Sequence, residues 1–90
     1  MVRELVEKVV EIYNRYRSPE ATAELVEVSE SEAIVVFRGS FCRTCGVIDW
    51  IEDFCYVAKD LGLECRLENV AELGEGVIAA KFRIHGGEHR

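Results

Sequence analysis

The hydrophobic period of this chain changes in a fixed order, and that order restricts the folds open to it: one helical stretch and two extended stretches, then the same three again. Residues 2–17 place Val2, Leu5, Val6, Val9, Val10, Ile12, Tyr13 and Tyr16 on one face at helical spacing, with Arg3, Glu4, Glu7, Lys8, Glu11 and Arg15 on the other. Glu4–Lys8 and Glu11–Arg15 are favourably ordered i,i+4 pairs. Ser18-Pro19 stops the helix, because a residue before proline avoids the α region. Residues 21–28 and 33–41 are rich in β-branched and aromatic side chains and read as a hairpin about Ser29-Glu30-Ser31-Glu32. Ala33 through Phe37 is apolar without alternation, which predicts a central strand covered on both faces.

A second helix is predicted from about residue 44 to 61. Its apolar stripe is Val47, Trp50, Ile51, Phe54, Ala58 and Leu61, its wet face Asp49, Glu52, Asp53, Lys59 and Asp60, and Gly62 its C-cap. Residues 63–70 alternate Leu63, Cys65 and Leu67 against Glu64, Arg66 and Glu68, as a half-buried strand does. A turn at Leu73-Gly74-Glu75-Gly76 leads to a last strand over 77–84. The simplest packing of these elements is α+β in the order αββαββ: two helices on one face of a four-stranded, mainly antiparallel sheet.

Ninety residues are enough for one domain, here 1–90 with its core in 2–85. A chain this size buries only about 60–65% of its unfolded surface. With 49% hydrophobic residues, some apolar surface is left over, and a homodimer is the natural way to cover it. The first helix is short of partners in so small a fold and is expected to lie across that interface. The two αββ halves share their order of elements but not their residues.

Charge narrows the partners. Eleven Lys+Arg stand against 17 Asp+Glu, a net charge of −6. That balance argues against nucleic acid and against an anionic membrane surface. No apolar run approaches the roughly 20 residues of a membrane span. The charged start, Met1-Val2-Arg3-Glu4, has no signal-peptide core, so a cytoplasmic location is expected. Two Asn and no Gln among abundant Glu and Arg hint at a thermophilic source.

Four cysteines without a secretion signal point to reduced thiols, a metal site or redox chemistry. Phe41-Cys42-Arg43-Thr44-Cys45-Gly46 sits where a strand hands over to a helix. Free amides and the macrodipole there lower a thiol's pKa. One reading is a thiolate site for zinc or another metal, with Cys42 and Cys45 as one knuckle. Cys55 lies ten residues beyond Cys45 on the same helix, roughly 15 Å along its axis, so a second pair would have to come from another subunit. A second reading is thiol–disulfide chemistry at Cys42 and Cys45. Against it stands the single proline, Pro19, which leaves no proline after the motif to face such a site. The third reading is plain packing, which for Cys42 and Cys45 includes unmodified thiols lining a pocket, and which is favoured for Cys55 and Cys65 as small buried hydrophobes.

Other candidates are weaker. His85 ends the last strand and His89 lies in the tail; lone histidines near a terminus are mostly solvated. No serine–histidine–acid set is visible, and Gly39, Gly74 and Gly76 fit no phosphate loop. Trp50 and Phe54 lie one turn apart, as core or as pocket lining. Tyr56 falls amid the polar face of the second helix, where an aromatic suggests a contact surface. Tyr13 and Tyr16 are expected to reach a partner from the first helix.

A resemblance follows from several of these segments together. The hairpin Glu24 to Phe37, then Phe41-Cys42-Arg43-Thr44-Cys45-Gly46-Val47, the helix with Asp49-Trp50-Ile51 and Phe54, its end at Leu61-Gly62-Leu63-Glu64, and the closing hairpin through Gly74-Glu75 to Lys81-Phe82-Arg83-Ile84 resemble the 4-vinyl reductase domain family. These are small modules associated with sensing hydrocarbons or other hydrophobic molecules. The resemblance covers about residues 24–84 and implies a dimeric ligand-binding domain. It carries over Cys42 or Cys45 as a site residue. Family cysteines of the closing hairpin fall here on Val70 or Ala71 and on Ala80.

The leading expectation is therefore a dimeric module holding a small hydrophobic molecule between the sheet and the second helix. Phe37, Phe41, Trp50 and Phe54 would bind the ligand, with Cys42 and Cys45 at the pocket mouth or on a metal. A thiol–disulfide protein using Cys42 and Cys45, and a structural subunit of a larger complex, are the alternatives. Nothing in the sequence specifies an enzyme.

Overall fold

A computed structural model of the chain describes residues 2–17, 21–39 and 47–86. The elements are α1 (Val2–Arg17), β1 (Ala21–Val28), β2 (Glu32–Gly39), α2 (Val47–Asp60), β3 (Leu63–Gly74) and β4 (Val77–Gly86). The strands form one antiparallel sheet in the order β1-β2-β4-β3. The fold is the expected α+β arrangement, with both helices on one face. β1 and β3, the strands that follow each helix, are the two edges. β3 and β4 are longer than the alternation indicated, and their hairpin runs out to Gly74 and Val77.

Local chemistry places each element. The apolar stripe of α1 reaches the core through Val6, Val9 and Tyr13, all within 1% of complete burial. On its wet side Glu11 and Arg15 pair at 3.7 Å as their spacing predicts, while Arg3 joins Glu7 at 3.1 Å in place of a Glu4–Lys8 pair. The Ser29 side chain accepts from the N–H groups of Ser31 and Glu32 and folds the first hairpin. Gly62 takes a positive φ of 85° and ends α2, its N–H donating to the Lys59 carbonyl. Gly76, also at positive φ, turns β3 into β4, and its carbonyl accepts from the Gly39 N–H at 3.0 Å.

The core lies between the helices and the sheet. Register puts Val35 opposite Ala80 and Phe37 opposite Ile78, so Ala33, Val35 and Phe37 share their face with Ile78, Ala80, Phe82 and Ile84, all buried. Four rings join both helices to both inner strands. Tyr13 meets Phe37 edge-on at 5.3 Å, Phe37 meets Phe54 at 5.9 Å, and Phe54 stacks on Phe82 at 4.9 Å. The buried Tyr13 hydroxyl donates to the Trp50 carbonyl at 3.0 Å, which satisfies it and locks α1 to α2.

Two expectations change here. β2 is an inner strand, but among the described residues no second layer covers its other face. Val36 is 7% exposed there because charged side chains flank it: Arg38 pairs with Glu24 at 3.4 Å and Lys81 with Glu32 at 3.4 Å. Glu24 stands directly opposite Val36 in register, and Lys81 opposite Ile34 on the same face. Nor is α1 short of partners. Its stripe is consumed by β1 and α2, so Tyr13 is a core residue and only Tyr16 of that pair is exposed.

Candidate functional site

Of the residues singled out for function, Phe41, Cys42 and Cys45 lie outside the described residues. Phe37 and Phe54 are fully buried in the ring cluster, and Trp50 is half-buried beside it. Among the described residues no three Cys, His, Asp or Glu side chains converge as a metal site requires.

Among the described residues, an apolar concave surface lies elsewhere. A groove of about 560 Å³ runs between α2 and the edge strand β3. Leu63, Cys65 and Leu67 form its floor, because the alternation of β3 turns these three toward the helix. Cys55 and Tyr56 form its wall, and Glu52 and Lys59 stand at the rim. Tyr56 is 68% exposed; its place on the polar side of α2 is explained by the groove beneath it. The aromatic sits beside an apolar trough and stays largely exposed.

Cys55 and Cys65 close the inner end. Their sulfurs lie at bonding distance and their Cα atoms are 5.1 Å apart, so the pair is a disulfide joining α2 to β3. This corrects the reading of the two as separate packing residues; both are half-buried. A signal for it existed in the sequence. Cys55 lies at the margin of the α2 stripe and Cys65 on the inward alternation of β3. The short turn at Leu61-Gly62 folds the strand back along the helix, so a separation of 10 residues brings the two side by side.

The sheet's other face carries the local electrostatics. Arg83 donates to Glu68 at 2.8 Å, from β4 to β3. That hydrogen bond holds the Glu68 carboxyl below its ordinary value and the Arg83 guanidinium above its own. Among the described residues no helix is long and apolar enough to cross a membrane.

Fold and groove together define a two-layer α+β domain with a lateral apolar trough at one sheet edge. Compared with known families and with curated proteins, the chain matches no family model and no curated relative.

Proposed function

We propose that this chain is a small binding module that holds a hydrophobic small molecule in the groove between α2 and β3. One observation carries the reading: an open trough of about 560 Å³ floored by Leu63, Leu67 and the Cys55–Cys65 pair, with Tyr56 exposed at its wall. That volume lies in the usual range for small-molecule sites, which are mostly apolar with a few polar groups at the rim. Glu52 and Lys59 supply those polar groups. The resemblance to the 4-vinyl reductase domain family supports the same ligand class. The site moves along α2 from Trp50 and Phe54, which the ring cluster occupies, to Cys55 and Tyr56. Cys42 and Cys45 enter the proposal as a separate thiolate pair, on zinc or as a redox couple, tested by elemental analysis and thiol titration.

The groove is tested with the neutral fluorophore N-phenyl-1-naphthylamine. Saturable binding with a rise in emission is expected, and Leu67→Lys, which puts a charge on the floor, is expected to weaken it at least roughly tenfold. Unchanged binding in that variant, with the fold intact by circular dichroism, removes the groove as the site.

A further inference from the structure

We propose that β3 pairs with the β3 of a second copy of this chain about a two-fold axis at Cys65, so that the two sheets join into one and the two grooves open into each other. The pairing stands on backbone and charge. Only its consequence for the ligand rests on the reading above.

The Ile84 N–H donates to the Ser31 carbonyl, and the Gly39 N–H donates to Gly76. In an antiparallel strand a residue's N–H and C=O point to the same side, and successive residues alternate. Ile84 therefore faces β2, while His85 and Arg83 face β3. Their partners in register are Glu64 and Arg66, whose backbone groups are thereby used. Leu63, Cys65 and Leu67 must turn their N–H and C=O groups outward. Among the described residues no hydrogen bond reaches those groups. An edge of this kind is a template for another strand.

Charge then selects the strand and its register. With the axis at Cys65, Glu64 stands opposite the partner's Arg66 and Arg66 opposite the partner's Glu64. Leu63 meets the partner's Leu67 on the helix side. Glu64 and Arg66 occupy the closer, non-hydrogen-bonded positions, where opposite charges contribute most. Moving the axis one residue either way sets Glu64 against Glu64 or Arg66 against Arg66. Farther along, the bulge between Leu67 and Asn69 breaks the ladder. Cys65 is bonded to Cys55, so the same axis passes near the middle of α2. There it sets Glu52 toward the partner's Lys59, with both Tyr56 side chains between. The surface is self-complementary at the strand and at the helix, which is what a two-fold interface requires. Each groove opens toward this axis, so the partner closes the chamber that one chain leaves open.

Sedimentation equilibrium on the oxidised chain is expected to give twice the chain mass of 10.2 kDa. Glu64→Arg and Arg66→Glu each turn two attractive pairs into like-charge pairs. Each variant alone is expected to raise the dimer dissociation constant roughly ten- to thirtyfold. The double variant, which exchanges the charges, is expected to restore the dimer. An equimolar mixture of the two single variants is expected to form a heterodimer. A chain that stays monomeric to high micromolar concentration overturns the proposal. So does a dimer indifferent to all three variants, since it would use another face. Naphthylamine binding by a monomer would sink the pairing and leave the binding module standing. A charge-sensitive dimer that binds no probe would do the reverse.

Discussion

Each edge strand of the sheet is fastened to the helix that precedes it, and the two fastenings land on equivalent residues by different chemistry. In the first half Asn14 of α1 grips Ala23, the third residue of β1. Its Nδ2 donates to the Ala23 carbonyl at 3.0 Å and its Oδ1 accepts from the Ala23 N–H at 2.6 Å. In the second half Cys55 of α2 is bonded to Cys65, the third residue of β3. The spans are alike, 9 residues in one case and 10 in the other. The consequence differs. Ala23 lies opposite Phe37, whose backbone groups face β4, so Ala23 points its own groups outward and Asn14 consumes them. The side-chain amide stands in for a neighbouring strand at Ala23 and blocks that position of the edge. The disulfide joins side chain to side chain and leaves the backbone of Cys65 unused. One edge is capped at its third residue and the other is tied there through side chains with its backbone left open, so the two edges differ in what they offer a further strand at that point.

The largest test of this comparison removes the covalent fastening. A link closing a loop of this length stabilises a fold by about 2.7 kcal/mol in the chain-entropy account. Cys55→Ser is therefore expected to lower the melting temperature by about 10–20 °C in a domain of this size. Amide exchange is expected to rise along Leu63 to Leu67 and to remain unchanged along Ala21 to Leu25. Equal loosening of both edges would show that the two fastenings are not independent.

Removal of the polar fastening is smaller in energy but larger in assembly. Asn14→Ala deletes two hydrogen bonds and returns the Ala23 groups to water, at a cost of about 1–2 kcal/mol. It also unseals β1. A molecule with two open edges can propagate pairing beyond a dimer, so light scattering is expected to show larger species that the parent chain does not form. Asn14→Asp keeps an acceptor for the Ala23 N–H and loses the donor, and its assembly is expected to fall between the two. A strictly unchanged assembly state in Asn14→Ala would mean that the amide stabilises the fold without guarding the edge.

These fastenings also mark where the sequence could and could not be read. Helix and strand order follows from periodicity, because a stripe such as Val6-Val9-Tyr13 and an alternation such as Leu63-Cys65-Leu67 each bury one face and admit few alternatives. The faces of β2 were harder. Continuous apolarity from Ala33 to Phe37 is the pattern of a strand under two layers, yet Val36 is 7% exposed with no second layer over it among the described residues, only the charged pairs that flank it. Contacts between elements left weaker traces. Asn14 is one polar residue near the end of a helix, and nothing local says that its amide meets Ala23. Tyr56 was legible as an anomaly, an aromatic on a wet face, but its reason appears only when β3 returns beneath it. Cys42 and Cys45 carried the strongest local motif, and they lie outside the described residues.

The finest distinction between the edges concerns the sheet's open face. Each edge strand is tied there to its inner neighbour by one ion pair, Glu24 with Arg38 at 3.4 Å and Glu68 with Arg83 at 2.8 Å. At Glu68 the carboxyl's affinity for protons is lowered, first by the Arg83 hydrogen bond and then by the nearby charges of Arg83, Lys81 and Arg66. Its pKa is lower in the folded chain than in the unfolded one. The contribution to stability is therefore fully present above the ordinary Glu value, and it is lost as pH falls through the folded value. Both groups are solvated, so the effect is small and screened by salt. NMR titration of the Glu68 carboxyl is expected to give a midpoint below the usual Glu range, returning to it in Arg83→Met. The same variant should flatten the acid limb of the stability curve slightly, because one depressed carboxylate has been removed from it. A Glu68 midpoint that does not respond to Arg83→Met would separate the carboxyl's state from the bond and leave β3 held at its edge by the disulfide and the β4 ladder alone.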